Sequence, residues 1–549
     1  MTKKRNVLFI MCDQLRWDYL SCAGHKTLQT PNIDALAARG VRFTNAYVQS
    51  PICGPSRMST YTGRYMSSHG ATANFVPLRV GERNIGDHLK PLGVRPILVG
   101  KTHMIPDREG MARLGIDPAS AIGVHHREVG FEPYERDDGV YPDRMLGIMA
   151  QPRYNDYLRD KGHAGDNPWH WSANAVETAD GLRSGFYNDI ADQPAAVDEG
   201  DSETPYMTRR AMDFLAQDDG ETPWLLHLSY IKPHWPYIAP APYHSMYTQA
   251  DVQAPVRSDA ELEGTNPLMR MFMDRVAGKT FQRDEAIEKV VPTYMGLIKQ
   301  IDDQLGKLFA FMKERGLMET TTIVLTSDHG DYLGDHWMGD KDYFHDPSLK
   351  VPLIIADPSA EMDATRGTTC DALVQSIDLL PTFIEHFGGT PAAHLLDGIS
   401  LRPLLTGEAT QVNDFVVSEY DYHQQTFAPD VARGPRGCRI YMIATLDWKL
   451  IHAPGFAPVL FDRQNDPNEF NDLGQSDEHA AVRAQMMAKL TDWALQYRQR
   501  ETYDDQAAAR FTAFEEKAGV LIGYWDEQDL IDPANAVMPP PQEHSKENI

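Results

Sequence analysis

Three short segments of this chain carry residue types able to do chemistry together. Asp13-Gln14 follows the apolar run Asn6–Cys12, and Ser327-Asp328-His329-Gly330 follows a second apolar run at residues 321–326. Cys53-Gly54-Pro55-Ser56-Arg57 stands between them in the chain. Two buried carboxylates brought close repel each other unless a cation sits between them. Asp13, Gln14, Asp328 and His329 therefore make a candidate divalent-metal site. Three of the four offer oxygen, which suits Ca2+ or Mg2+, and the imidazole moves the balance toward Mn2+. Pro55 suits a first helical turn, so Cys53 sits where a helix N-terminus favours an anion. Taken singly, each Asp reads more readily as a turn or capping carboxylate, and the alternative for Cys53, an ordinary half-buried thiol, is the lesser one beside its partners.

These residues need elements to position them. Asn6–Cys12 reads as a strand buried on both faces of a parallel sheet. Thr30 and Pro31 open a helix that ends at Gly40, Val41–Tyr47 is extended, and residues 55–61 form a helix closed by Gly63. Trp224–Tyr230 is strand-like and runs into Lys232-Pro233-His234. Leu297, Ile298, Ile301, Leu305 and Leu308 mark one face of an amphipathic helix over residues 294–315, which feeds the strand at 321–326. Residues 351–356 read as a further strand and 375–387 as a further helix, with Pro381 kinking or starting it. Strand, helix and strand in this rhythm predict a mostly parallel sheet with helices on both faces. Two strands ending in carboxylates would set Asp13 and Asp328 at the carboxyl edge of that sheet, where open α/β sheets hold ligands. Residues 107–217 show weak periodicity and read as long loops. After Gly407 the texture changes to short strands at 437–445, Trp448–His452 and Val459–Asp462, an antiparallel pattern, then a helix at 480–498.

Bulk properties narrow the class. Hydrophobic residues make up 42% and charged residues 24% of the 549, which is a globular balance. The net charge of −26 argues against nucleic acid as a partner. It does not exclude a small anionic substrate, because salt screens distant charge over about 10 Å. No apolar run approaches the roughly 20 residues of a membrane span, and no signal peptide is legible, so a cytoplasmic protein is expected. The five cysteines match no zinc pattern or disulfide framework and read as free thiols.

Cys-x-Pro-x-Arg is the motif for oxidation of cysteine to formylglycine. With its companions, the chain resembles the formylglycine-dependent sulfatases and the phosphonate monoester hydrolases of the alkaline phosphatase superfamily. The companions are Thr62-Gly63-Arg64, Gly100-Lys101-Thr102-His103, Pro233-His234, Leu333-Gly334-Asp335-His336, Lys341 and Leu460-Phe461-Asp462. The resemblance implies an alkaline-phosphatase-like α/β fold: a mixed, mostly parallel sheet flanked by helices, a smaller C-terminal antiparallel-sheet subdomain, and an extended tail. The expected division is a catalytic domain at 1–410, an α+β subdomain at 411–500 and an arm at 501–549 lying along the body or on a neighbouring subunit. It further implies that residue 53, once converted and hydrated, is the nucleophile, activated by one divalent ion (Ca2+ or Mn2+) on Asp13, Gln14, Asp328, His329 and residue 53 itself. Arg57 would hydrogen-bond the nucleophile. Lys101 would bind the anion and His103 assist the formylglycine, while His234 and Lys341 hold the anion and protonate the leaving oxygen. A covalent sulfated intermediate would collapse back to the aldehyde. Implied partners are a small sulfate or phosphonate ester, a formylglycine-generating enzyme acting transiently, and further copies of the chain in a homodimer or homotetramer.

The family pattern splits here. Gln14 and His329 replace the Asp and Asn of many sulfatases and are similar to the phosphonate monoester hydrolases. Those enzymes, however, tend to carry Tyr and Thr at the positions of Lys101 and His103. The expected activity is hydrolysis of sulfate monoesters of the arylsulfatase type, probable cross-reactivity being part of that expectation. The alternative is a phosphonate monoesterase or phosphodiesterase with the same nucleophile. A catalytically silent binding protein on this fold is the third reading.

Overall fold

A computed structural model describes residues 5–145, 152–431 and 434–496, and in the tail 501–502, 504–511, 514 and 518–529. Strands β1 (Asn6–Cys12), β2 (Val41–Tyr47), β3 (Arg95–Gly100) and β4 (Glu132–Arg136) precede a small hairpin, β5 (Ala175–Thr178) and β6 (Gly181–Ser184). Then follow β7 (Trp224–Tyr230), β8 (Thr321–Ser327), β9 (Leu353–Ala356) and β10 (Thr368–Gln375). Outside the hairpin these strands form one sheet in the order β10-β2-β9-β8-β1-β7-β3-β4. All pairings are parallel except those of β9, which runs antiparallel to both β2 and β8.

The uniform apolarity of β1 has a direct cause. Val7, Phe9 and Met11 join a buried cluster with Tyr47, Met58 and Leu373 on one face of the sheet. Leu8, Ile10 and Cys12 join another with Leu226, Ile298 and Leu305 on the other. Successive side chains point to opposite faces, so a strand covered on both sides must be apolar throughout.

Several expectations need correction. The helix expected at 55–61 is Cys53–Thr62, so it starts at Cys53 itself, and Gly63 closes it at φ +65°. The amphipathic helix begins at Asp284 and runs to Glu314; Ile287, Val290 and Val291 already carry its buried stripe, but Pro292 inside it reads in sequence as a helix boundary. Thr30 makes no side-chain cap to the helix Pro31–Ala37, its hydroxyl being engaged by Ser21. Residue 375 ends β10, and the helix that follows is Leu379–His386. Residues 107–217 are more ordered than loops. They contain β4, the hairpin and the helix Glu203–Gln217, whose Tyr206, Met207, Ala211 and Phe214 are buried. Short elements joined by turns hide periodicity from any window long enough to measure it.

Strands β11 (Val416–Asp421), β12 (Arg439–Ala444), β13 (Trp448–His452) and β14 (Val459–Asp462) form a separate antiparallel meander. On one side Val417, Ile443, Leu450 and Leu460 pack with Met486 and Leu490 of the helix Ala480–Leu495. On the other, Val416, Ile440 and Met442 belong to the same cluster as Phe9 and Met58. Both sheets lie in one compact unit, Met1–Pro391 with Leu396–Gln496. A second unit is Ala392–Leu395 with Tyr497–Ile549. Within it Asp504 caps the short helix Asp505–Arg510, and Ile522 and Trp525 are exposed. Most of the expected arm, including Pro539-Pro540-Pro541, and the end of the expected 480–498 helix lie outside the described residues. No described helix is long and apolar enough to cross a membrane.

Candidate active site

Four neighbouring strands deliver side chains to one edge of the large sheet. Cys12 of β1 pairs with Ser327 of β8 and with Tyr230 of β7, so Asp13, Asp328 and the Lys232–His234 turn emerge together. Gly100 of β3 pairs with Ser229, which brings Lys101 and His103 to the same edge. Gly100 has φ +112°, and a Cβ there would lie 2.0 Å from the Ser229 carbonyl oxygen. Only glycine lets β3 turn into Lys101 so close to β7.

Cys53 is the first residue of its helix and is buried. Its Sγ lies 3.0 Å from His329 Nε2, 3.3 Å from Lys341 Nζ and 3.6 Å from Asp13 Oδ1. Burial pushes the thiol pKa up, but Lys101, Lys341 and His329 outweigh it and hold the group well below the ordinary thiol range. Burial and Cys53 likewise push Asp13 up, while Lys101 and Arg57 keep it ionised. Lys101 Nζ forms an ion pair with Asp13 Oδ2.

Arg57 departs from the expected contact. Its Nε donates to Asp328 Oδ2 at 2.7 Å, and Nη1 donates to the Lys101 carbonyl at 2.9 Å and to Ser229 Oγ at 2.8 Å. Its Nη2 lies 3.4 Å from Asp13 Oδ2. The fully buried guanidinium thus ties the two carboxylates together rather than hydrogen-bonding the thiol.

Asp13, Cys53, Asp328 and His329 each offer one ligand atom, and these atoms all lie within 4.8 Å of one another. The donor set fits a divalent ion: two carboxylates, a soft anion and an imidazole. His329 Nδ1 donates to the Gly330 carbonyl at 2.9 Å, which leaves Nε2 facing the cluster. Burial and Lys341 lower the His329 pKa, but Asp328 and Cys53 raise it to about 9. The cluster therefore favours a positive charge at this position.

Gln14, at φ +64°, is oriented by neighbours the sequence reading missed. Its Nε2 donates to Asp331 Oδ2 at 2.6 Å and to Tyr237 Oη at 3.1 Å, while its Oε1 accepts from Lys341 Nζ at 3.1 Å. The amide is locked with its carbonyl toward Lys341. Asp331 stands two residues beyond His329, and Tyr237 closes the run that begins at Lys232; proximity to those motifs was the available signal. His234 Nδ1 donates to the Trp235 carbonyl, and Nε2 accepts from Lys341 Nζ at 3.0 Å. Burial and Lys341 lower the His234 pKa to about 4, so it is neutral at neutral pH. His103, at φ +55°, is held through its backbone N–H by Asp138, a second residue the loop-rich stretch concealed. The structure thus brings all ten sequence-predicted residues to one place.

A cavity of about 430 Å³ opens above Cys53, Lys101, His103, His234 and Lys341. A buried nucleophile position, a dication-ready carboxylate pair and cationic groups at one sheet edge define a hydrolase of anionic esters. Residues 5–389 match the family model described as Sulfatase, and residues 334–496 match that described as N-sulphoglucosamine sulphohydrolase, C-terminal. The chain belongs to the sulfatase family, within the alkaline phosphatase superfamily. It is 32% identical over 525 residues to the multifunctional alkaline phosphatase superfamily protein PehA of Trinickia caryophylli, covering 91% of this chain and 97% of that one. An arylsulfatase of Clostridium perfringens is 26% identical, covering 87% and 91%. The phosphonate monoester hydrolase of Agrobacterium radiobacter superposes with a TM-score of 0.77 at 28% identity, covering 90% and 96%.

Proposed function

We propose that the chain hydrolyses sulfate monoesters of the arylsulfatase type, using Cys53 after conversion to formylglycine. The observation that carries this reading is Cys53 buried at the start of its helix, with Lys101, Lys341 and His329 beside it. Conversion is a two-electron oxidation of the Cβ, supplied by a formylglycine-generating enzyme, with loss of the sulfur. A divalent ion, Ca2+ or Mn2+, bound by Asp13, Gln14, Asp328 and His329 with residue 53, would lower the pKa of a hydroxyl on the hydrated aldehyde.

The remaining steps fall to the chain's own groups. Lys101 and Lys341 neutralise the ester's anionic oxygens. One hydroxyl of residue 53, its proton already released to bulk water, attacks sulfur, and the sulfur–alkoxide bond breaks with both electrons going to the departing oxygen. Lys341, hydrogen-bonded to His234, delivers a proton to the departing oxygen. His103 takes the proton from the second hydroxyl, the aldehyde re-forms, and sulfate leaves with both electrons of the broken C–O bond. Arg57 keeps Asp13 and Asp328 in place throughout.

A second reading has its own support. Gln14 and His329, together with the TM-score of 0.77 to a phosphonate monoester hydrolase, favour phosphonate monoesters or phosphodiesters as substrates of the same nucleophile. Rates on p-nitrophenyl sulfate and p-nitrophenyl phenylphosphonate, measured with one preparation, decide between them. The faster ester per mole of converted protein names the function. Mass spectrometry of the Cys53 peptide should show the aldehyde in active protein, and full activity with thiol alone would remove the mechanism.

A further inference from the structure

We infer that Phe75, with Trp235 and Val140, forms the binding surface for an apolar, ring-bearing alcohol, and that Phe75 determines specificity for it. This rests on the reading of Cys53 as the nucleophile position. Phe75 lines the catalytic cavity and is 57% exposed, although it is a large apolar side chain. It adopts φ +68°, and Val140, on the same cavity, adopts φ +59°. Bulky residues avoid the left-handed region, so the fold holds both at a conformational cost, which is characteristic of residues kept for function.

The loop presenting Phe75 is braced. Asn74 Oδ1 accepts from the Gly54 N–H at 2.9 Å, at the start of the nucleophile's helix. The Asn74 carbonyl accepts from Gln424 Nε2 at 2.7 Å. The Phe75 ring stands 6.2 Å from that of His103 in an edge-on arrangement. An exposed aromatic is thereby fixed beside the reacting centre.

The four carboxylates that line the cavity are all engaged within the protein. Asp138 accepts from Arg136 and from the Thr102 and His103 N–H groups. Asp342 is paired with Arg275 and accepts from Tyr420 Oη. Asp340 accepts from Trp235 Nε1 and Gln14 Nε2. Asp421 is paired with Arg439 and accepts from Thr72 Oγ1. A sugar ring draws strongly on unengaged carboxylates to replace its hydration. An aromatic ring needs only the apolar wall, which Phe75, Val140, Trp235, Ile52, Ile105 and Pro142 supply.

The test uses the full chain as wild type, Phe75→Ala, Phe75→Trp and Cys53→Ala. The substrate is whichever p-nitrophenyl ester the wild type turns over faster. Phe75→Ala should raise KM about tenfold with kcat within about twofold, and Phe75→Trp should restore the wild-type KM. Glucose 6-sulfate, added as a competitor, should inhibit with a Ki at least about tenfold above the aryl-ester KM. An unchanged KM in Phe75→Ala, or a Ki for glucose 6-sulfate at or below that KM, overturns the assignment while inactive Cys53→Ala leaves the nucleophile reading standing. Full turnover by Cys53→Ala overturns both.

Discussion

At the scale of single residues, the site is an arrangement of compensating charge. Asp13, Asp328 and the acidic Cys53 position face Lys101, Lys341 and Arg57, all buried. Removing one partner of such a set leaves an uncompensated ion in a low dielectric. Lys101 is the cation that both contacts Asp13 and depresses the Cys53 pKa, and it replaces the Tyr expected of a phosphonate monoesterase. Lys101→Ala should therefore lower kcat/KM on a sulfate ester by about 100-fold or more, and on a phosphonate ester by at least about tenfold less. Parallel steady-state measurements on the two p-nitrophenyl esters check this, and equal losses would remove the preference for sulfate. The residues of the clustered Asp13, Cys53, Asp328 and His329 were legible because each follows an apolar strand or opens a helix. Asp331, Tyr237 and Asp138 were not, since they act by hydrogen-bonding other site residues, and no local pattern marks such a role.

At the scale of elements, two positions connect backbone geometry to function. Gly100 is the point where β3 approaches the Ser229 carbonyl, with no room for a Cβ. Gly100→Ala should cost about 2–3 kcal/mol from overpacking and left-handed strain, and should displace Lys101. Chemical denaturation and turnover report the two effects, and a variant with wild-type midpoint and rate contradicts the account. Glu419 in β11 accepts from the Ser67 N–H at 2.9 Å, and burial raises its pKa to about 7. Between its unfolded pKa of 4.5 and about 7, the folded chain keeps a proton that the unfolded chain has lost. Stability therefore falls as pH rises through that window, by up to about 3 kcal/mol for this group. Glu419→Gln should flatten the dependence, which thermal denaturation at pH 4.5 and pH 7.5 measures. An unchanged slope would mean that Glu419 ionises freely.

At the scale of the whole molecule, the antiparallel sheet is joined to the catalytic body by a buried ion. Lys449 of β13 is fully buried and donates to Asp346 Oδ1 at 2.6 Å and to the Phe344 carbonyl at 3.2 Å. It also pairs with Glu469 beyond β14. Asp346 opens the helix Asp346–Leu349 of the catalytic body, so the ion links the two sheets directly. Lys449→Ala should destabilise the chain by about 3 kcal/mol, because the buried Glu469 loses its cation while the half-buried Asp346 keeps Arg463 and Lys350. A drop below about 1 kcal/mol in urea denaturation would show that Glu469 is neutral or hydrated.

The sequence by itself determined the fold class, the strand-end carboxylates and the place of Cys53 at the start of its helix. Each is encoded locally: β1 must be apolar on both faces, Asp13 and Asp328 interrupt apolar runs, and Pro55 and Gly63 delimit a helix. Only the tertiary structure decided which way those groups face. It turned Arg57 from the nucleophile to the two carboxylates, fixed the Gln14 amide through Asp331 and Tyr237, and set Phe75 on the cavity wall. Those outcomes depend on hydrogen bonds and close approaches between residues as far as 317 positions apart, which no periodicity in the chain can encode.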